Sequence, residues 1–263
     1  MRVLYIGDVM AEPGIEIVEQ VLPELRQAES IDLVIAQAEN VTGGKGMSLA
    51  DMKRLQDIGI DFFTGGNHTP KLTELHPALE DPSQPVIGPA NMTDCPGSGY
   101  KYIDTKKGRV LVISLMGEKV GSPIDIDNPL GTIDKILAEN QEDDRVAIIV
   151  NFHGDYSSEK RIIGYYLDGR VSAVIGDHWH VPTADAMILP NGTAHVTDVG
   201  MCGTIHSSLG VKFDSVIPRW RDNIQTKNEI ELDGPRQFNA MLIDVDENTG
   251  RANSILRIQK ILD

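Results

Sequence analysis

The first eighty residues alternate short apolar runs with segments whose apolar positions recur at helical spacing. The apolar runs are typical of buried β-strands and cover residues 2–7, 32–38 and 61–66. The segments between them predict a helix interrupted at Pro23, a second helix from Ser48 to Gly59, and a short third one over residues 71–79. Such alternation favours parallel strands with helices on the faces of the sheet.

The remainder of the chain changes character. Lys106-Lys107-Gly108 separates two strand-like runs and predicts a β-hairpin. Helical and strand-like segments then alternate at 131–140, 145–152, 158–167 and 171–176, and the last third predicts strands at 193–199, 238–245 and 252–261. This order predicts an α/β fold in which two sheets pack together with helices outside, as a single domain over residues 1–263.

Composition narrows the class of protein. With 41% hydrophobic and 24% charged residues, the chain is typical of a soluble globular protein. A formal net charge of −15 argues against a broad nucleic-acid surface and against binding to anionic membranes. The sequence shows no signal peptide or membrane span, and its two cysteines, Cys95 and Cys202, are expected as free thiols. We therefore expect a cytoplasmic enzyme.

Five strand-like runs end on residue types that bind metals. Carboxyl ends of parallel strands lie at one edge of a sheet, so residues far apart in the sequence converge there. The strand ends carry Asp8, then Glu39-Asn40, Asn67-His68, His153 and finally His178-Trp179-His180. The pattern predicts a metal site at this edge.

The residues differ in how strongly each one indicates a metal site. His178-x-His180 after a strand is a fair metal signal on its own, and His153 strengthens it by supplying a third imidazole from another strand end. Glu39 follows an apolar run, where a buried charge needs a partner that metal ions would provide. No Gly-x-Gly-x-x-Gly follows the first strand, so Asp8 does not indicate a dinucleotide site.

These motifs, in this order, resemble the calcineurin-like metallophosphoesterases, and more closely their bacterial YmdB-type branch. The segments that carry the resemblance span nearly the whole chain: Ile6-Gly7-Asp8-Val9, Ala38-Glu39-Asn40, Gly66-Asn67-His68-Thr69, His153, Ser157-Ser158-Glu159-Lys160, Asp168–Val174, Gly176-x-His178-x-His180 and Thr197–Met201. Two departures from the broad superfamily matter. Its Asp-x-His is here Asp8-Val9-Met10, and Glu39 replaces its bridging aspartate, so Asn40 is expected to fill the ligand position left by Met10.

The resemblance implies a four-layer α/β/β/α sandwich and two divalent metal ions per chain. One ion would take Asp8, Glu39, Asn40 and His180, and the other would take Glu39, Asn67, His153 and His178. Asp177 and Trp179 would shape the surroundings of the site, with Asp177 alternatively holding the tautomer of an imidazole. Fe or Mn is expected, and Zn is also compatible with oxygen and nitrogen ligands.

The resemblance also implies a phosphodiesterase that hydrolyses small phosphodiesters, with 2′,3′-cyclic nucleotides as the expected substrates. A metal-bridging hydroxide would attack the phosphorus, and a protonated His68 would assist the leaving group. Asp8 and Glu39 are the two anionic ligands against four metal charges, which leaves a site with such a hydroxide positive and suited to an anionic substrate. A homo-oligomer is compatible with the sequence.

Two alternatives stay open at this point. A metal-dependent amidohydrolase also gathers histidines at strand ends, although its His-x-His normally follows the first strand of an eight-stranded barrel. A metal-bound regulatory or scaffold protein with weak residual hydrolysis would keep the same ligands. Outside the predicted site, the other histidines are expected to be background: His76 to cap an element or face solvent, and His195 to be structural, with a substrate contact by His206 as the less favoured alternative. The Gly43–Gly46 loop is a candidate to line the entrance to the metals.

Overall fold

A computed structural model describes residues 1–121, 124–141 and 144–263. Within these ranges the α-helices are α1 (Ala11–Ala28), α2 (Leu49–Ile58), α3 (His76–Glu80), α4 (Pro129–Glu139), α5 (Ser157–Tyr166) and α6 (Phe213–Asp222). The strands are β1 (Arg2–Ile6), β2 (Asp8–Val9), β3 (Leu33–Gln37), β4 (Phe62–Thr64), β5 (Tyr100–Thr105), β6 (Gly108–Met116), β7 (Arg145–His153), β8 (Ala173–Asp177), β9 (Met187–Ile188), β10 (Ala194–Val196), β11 (Met201–Thr204), β12 (Arg236–Val245) and β13 (Ala252–Leu262). Short 3₁₀ turns at Thr69–Lys71 and Thr73–Leu75 precede α3.

The strands form two mixed sheets. In the first, the order is β2-β11-β12-β1-β3-β4, and β13 pairs along β12. In the second, the order is β5-β6-β7-β8-β10-β9, with parallel pairing through the centre from β6 to β10. These open sheets replace the single eight-stranded barrel that an amidohydrolase would require, so that alternative is wrong.

Strand β1 shows how the layers arise. Val3 and Tyr5 point into a buried cluster shared with the second sheet, including Val112 and Ile149. Leu4 and Ile6 alternate with them and belong to the cluster that also contains the apolar face of α1. On the far side, α4 and α5 contribute Ile133, Ile136 and Ile163 to a third cluster with residues of β6 and β7. The four-layer α/β/β/α arrangement expected from the sequence is confirmed.

The local signals around α2 are also confirmed. Ser48 is its N-cap, and the Ser48 hydroxyl oxygen accepts a hydrogen bond from the Asp51 backbone N–H at 3.0 Å. The helix stops at Gly59, whose φ of +113° favours glycine. The expected interruption of α1 at Pro23 is wrong, because the helix continues to Ala28. Pro23 lies on the exposed face, where solvent can satisfy the carbonyl that proline leaves without a helical N–H partner.

Several elements in the last third were not predicted. The expected strand at 193–199 ends at Val196, and the chain then crosses to the first sheet to form β11. There, Met201 pairs in parallel with Asp8 and fixes the short strand β2. Helix α6 was not predicted either, although Phe213, Val216, Ile217 and Trp220 recur at helical spacing, because Pro218 lies inside the pattern; none of its residues is buried. None of the helices in the described part of the chain is both long and apolar enough to cross a bilayer.

Candidate metal centre

The fold brings the predicted site residues together at one end of the two sheets. Each residue follows or ends a strand, and both sheets contribute. From the first sheet come Asp8, Glu39, Asn40, Asn67 and His68, and from the second come His153, His178 and His180. The convergence expected from the strand ends is therefore present.

One group of atoms that could bind a metal ion, called a donor group below, surrounds the Asn40 amide. Its Nδ2 lies 3.3 Å from Glu39 Oε1, 3.4 Å from Asp8 Oδ1 and 3.3 Å from His180 Nε2. His180 Nε2 is in turn 3.6 Å from Asp8 Oδ1. Two carboxylates, an amide and an imidazole thus face one small volume.

A second group shares Glu39 with the first. His153 Nε2 lies 3.3 Å from Glu39 Oε1 and 2.9 Å from Asn67 Oδ1. The His178 ring meets the His153 ring edge-on with centroids 4.5 Å apart, and donor atoms of Glu39, His153 and His178 lie within 4.8 Å of one another. A Cβ on Gly66 would come within 2.5 Å of both Glu39 and His153, so this turn requires glycine.

The electrostatics of the two groups favour a bound cation. Burial raises the pKa of Asp8 to about 7 and holds the pKa of Glu39 well above its ordinary value, with the neighbouring carboxylates adding to the effect. Burial also lowers the pKa of His178 to about 2 and that of His153 well below 6.5. Neutral imidazoles and uncompensated carboxylates are the donor forms that divalent ions bind, so the residues fit such ions.

His68 stands apart from both donor groups. Its backbone N–H donates to Glu39 Oε2 at 2.8 Å, and its ring Nδ1 lies 3.5 Å from the Asn67 amide nitrogen. Burial, followed by the positive charges of Lys45 and Lys71, lowers its pKa to about 4. The imidazole is therefore neutral at pH 7 in the free protein, in contrast to the protonated ring expected from the sequence.

A group of buried polar residues next to His153 was only partly predicted from the sequence. Asp177 Oδ1 lies 2.7 Å from His153 Nδ1, which matches one of the two roles considered for Asp177. Asn151 donates from its amide to Asp177 Oδ2, and Gln37 Oε1 accepts from the Glu39 backbone N–H at 2.8 Å. Gln37 and Asn151 are fully buried. Polar residues within otherwise apolar strands were the signal that could have identified them.

The backbone that carries the His-x-His motif is held by a buried ion pair. Lys160 Nζ lies 2.7 Å from Asp198 Oδ2, 2.6 Å from the Asp177 carbonyl oxygen and 4.1 Å from the centre of the Trp179 ring. Asp198 also accepts from the Trp179 backbone N–H at 2.9 Å. Both histidines of the motif have positive φ, +99° and +61°, a conformation that side chains disfavour. These contacts fix the strained segment 178–180.

The remaining histidines lie outside both donor groups. His195 is buried, and its Nδ1 lies 3.1 Å from the Val174 carbonyl oxygen. His76 Nε2 lies 3.0 Å from the Pro70 carbonyl oxygen. His195 fits the structural role expected of it, whereas His206 is exposed and a substrate contact there stays an untested alternative.

Comparisons with known proteins give consistent relatives. A family model described as YmdB-like protein matches residues 4–258. The chain is 36% identical over 259 residues to a Bacillus subtilis protein named 2′,3′-cyclic-nucleotide 2′-phosphodiesterase, covering 98% of this chain and 96% of that protein.

Solved structures agree with that result. A crystal structure of a hypothetical protein from Thermus thermophilus superposes with a TM-score of 0.90 at 36% identity, covering 99% of both chains. A crystal structure described as a novel phosphatase from Mycoplasma pneumoniae gives a TM-score of 0.92 at 29% identity, covering 99% of this chain and 93% of that one. The similarity therefore spans the whole fold.

Proposed function

The chain belongs to the YmdB-like protein family, and from that premise we propose that it is a metal-dependent phosphodiesterase of small phosphodiesters. Its substrates would be 2′,3′-cyclic nucleotides, as the name of the Bacillus subtilis relative suggests. The observation that carries the proposal is the burial of Asp8 and Glu39 among imidazoles and amides, where their charges call for cations. Residues 1–263 would act as one domain.

Two divalent ions would share Glu39. Asp8, Asn40 and His180 would complete one site, and their spacing around the Asn40 amide supports that grouping. The other site would be completed by Asn67, His153 and His178. When bound, such ions supply positive charge for the phosphodiester and lower the pKa of the attacking water.

His68 would assist the leaving group. Its ring is neutral in the free protein because Lys45 and Lys71 add to the effect of burial. An anionic substrate beside the ring offsets those positive charges and raises the pKa of the imidazole. In the complex, His68 would then donate a proton to the ribose oxygen that leaves phosphorus, a contribution of roughly 10²–10⁴ in rate.

The chain's other residues would hold this arrangement in place. Asp177 would keep the proton of His153 on Nδ1, so that the lone pair of Nε2 remains free to bind a metal ion. The ion pair of Lys160 and Asp198 would maintain the strained turn that aims His178 and His180 at the site. Activity would therefore depend on residues that touch neither metal nor substrate.

The test uses protein purified with chelator and then loaded with Mn²⁺ or Fe²⁺. We expect two ions per chain by elemental analysis, and hydrolysis of adenosine 2′,3′-cyclic phosphate and of bis(4-nitrophenyl) phosphate. Chromatography of the products would show adenosine 3′-phosphate if the bond to the 2′ oxygen breaks. Glu39→Gln serves as the inactive control. One ion at saturation, or metal-loaded protein inactive on both substrates, would refute the proposal.

A further inference from the structure

A cavity of about 490 Å³ lies beside the candidate metal centre, and the Gly43–Gly46 loop separates the two. On one side of the loop, the Gly46 backbone N–H donates to the Glu39 carbonyl oxygen. On the other side, Gly44 lines the cavity, where an added Cβ would lie 2.9 Å from Ile230 and 3.1 Å from Met10. We call this space the lateral cavity. Met10 follows the proposed ligand Asp8 by two residues, so the cavity adjoins the metal centre.

The floor of the lateral cavity is apolar and packed. Met10 and Val211 are 6% and 7% exposed, and Ile230 packs against the same small cluster. Cavities of a few hundred Å³ with an apolar floor and a few polar groups are typical of small-molecule sites. The floor suits a sugar or base.

The rim carries three cations that have no carboxylate partner among the residues that the structure describes. Arg219 donates from Nε to Thr226 Oγ1 at 2.6 Å and from its guanidinium to Asn228 Oδ1, and both partners are neutral. The ammonium groups of Lys45 and Lys227 have no hydrogen bond or ion pair within the described ranges, and no described carboxylate lines the cavity. In a chain of net charge −15, such a concentration of free positive charge favours an anionic ligand.

We propose that the lateral cavity binds a second phosphate of the substrate, carried on the 5′ oxygen of the nucleoside whose 2′,3′-cyclic phosphate reacts at the metal centre. This inference rests on the proposed function. In a 2′,3′-cyclic nucleotide the other two ribose hydroxyls are esterified, so the 5′ oxygen is the position left for another phosphate. The substrate class is a 5′-phosphorylated 2′,3′-cyclic nucleotide, either free or as the 3′ end of a short RNA.

The position of Lys45 supports this extension. Lys45 lines the lateral cavity, and the next residue, Gly46, packs against His68, where an added Cβ would lie 3.5 Å from the His68 carbonyl oxygen. Lys45 therefore belongs to the loop that contacts the proposed proton donor, and it shares the cavity rim with the cations Arg219 and Lys227. A nucleotide spanning the two regions would place one phosphate at each end of this positive path.

The experiment compares kcat/KM for three substrates of the metal-loaded protein: adenosine 2′,3′-cyclic phosphate, its 5′-phosphorylated form, and the dinucleotide ApA ending in a 2′,3′-cyclic phosphate. We expect the added phosphate to raise kcat/KM about tenfold, as one charge-assisted contact would. Lys227→Gln should remove most of that gain and leave the substrate without a 5′-phosphate unchanged. Lys135→Gln, an equal charge change at an exposed residue of α4, should alter neither the gain nor the activity without a 5′-phosphate.

The outcomes separate the two proposals. Equal kcat/KM on all three substrates in the wild type would overturn the lateral-cavity inference while leaving the phosphodiesterase intact. An equal loss on all three in Lys227→Gln would also overturn it. Inactivity on every substrate would instead contradict the proposed function. If both substrates with a 5′-phosphate are preferred, the one with the higher kcat/KM shows whether the natural substrate is a free nucleotide or the 3′ end of an RNA.

Discussion

Asp177 Oδ1 lies 2.7 Å from His153 Nδ1, and both side chains are fully buried. The carboxylate is placed to hold the imidazole proton on Nδ1, while Nε2 faces Glu39 and Asn67. Burial and the nearby Asp198 charge raise the pKa of Asp177 to about 8, so the carboxyl group depends on Asn151, Lys160 and any bound cation to remain ionised. The orientation of His153 and the charge of Asp177 are thus coupled.

Asp177→Asn should weaken metal binding at the His153 site. The amide is a poorer acceptor for the Nδ1 proton and can also present its own N–H, which favours the wrong tautomer. Loss of such a partner typically costs 10–100-fold in metal affinity. Titration of chelator-treated protein with metal measures this affinity. Asp134→Asn, at a partly exposed residue of α4, serves as the control. Unchanged affinity would mean that packing alone orients His153.

Glu39→Ala and Asn40→Ala should differ in metal stoichiometry. Glu39 Oε1 lies 3.3 Å from both the Asn40 amide nitrogen and His153 Nε2, so its carboxylate faces both donor groups. Its loss should reduce occupancy at both sites, whereas Asn40→Ala should affect mainly the ion that also uses Asp8. Elemental analysis checks the counts. A Glu39→Ala protein with full metal content would reduce Glu39 to a buried structural acid.

His68→Ala should keep its metal content and lose activity selectively. A ribose alkoxide needs a proton to leave phosphorus, whereas nitrophenolate leaves without one. The variant should therefore lose roughly 10²–10⁴ in rate on adenosine 2′,3′-cyclic phosphate and much less on bis(4-nitrophenyl) phosphate. Steady-state assays on both substrates test this. Equal losses would show that His68 only binds the phosphate, and loss of metal would make it a ligand.

Lys160→Met should destabilise the protein and release Trp179. It leaves the Asp198 carboxylate buried without its cation, at a cost of about 3–5 kcal/mol in the free energy of unfolding. Adding Asp198→Asn should restore much of that stability, yet the Trp179 ring would still lack its Lys160 contact. Fluorescence in a Trp220→Phe background, which removes the second tryptophan, should then shift to the red in both variants. An unchanged spectrum would contradict the positioning role.

His195→Leu should flatten the pH dependence of stability. Burial lowers the pKa of His195 below 6.5, so the folded state binds fewer protons than the unfolded state. The wild type therefore loses stability as pH falls below about 6.5, and the leucine variant lacks this loss. His195 Nε2 has no hydrogen-bond partner in the described part of the chain, so its replacement by leucine leaves no partner group unpaired on that side. Denaturant titrations at pH 8 and 5.5 should show the difference between the two proteins moving in favour of leucine.

Much of the fold followed from periodicity. Apolar runs with helical segments between them identified the parallel strands, and parallel strands necessarily bring Asp8, Glu39 and Asn67 to one edge. The family resemblance drawn from the motifs is confirmed by the family model and the relatives. Strand β11 was missed because a four-residue segment containing Gly203 carries little strand signal of its own. Its pairing with β2 is decided by tertiary contacts.

The environment of the site was harder to predict than its members. Lys160 and Asp198 are 38 residues apart, and nothing in either local pattern indicates that they meet. The pKa of His68 is lowered first by burial and then by the charges of Lys45 and Lys71, and Lys45 is brought to it by a loop distant in sequence. A sequence indicates which residue types can act, whereas the pKa of each group depends on burial and on neighbours set by the fold.

The pairing of β1 with β12 also determines when, during synthesis of the chain, the metal centre can form. Ile6 lies beside Ala240, and Asp8 beside Met201, so the strand segments that carry the first ligand are framed by residues synthesised much later. A nascent chain that has reached His180 already contains every proposed ligand but lacks this frame. Metal capture during synthesis would therefore act on an unfinished sheet, and a well-formed centre has to wait until the ribosome has passed residue 245.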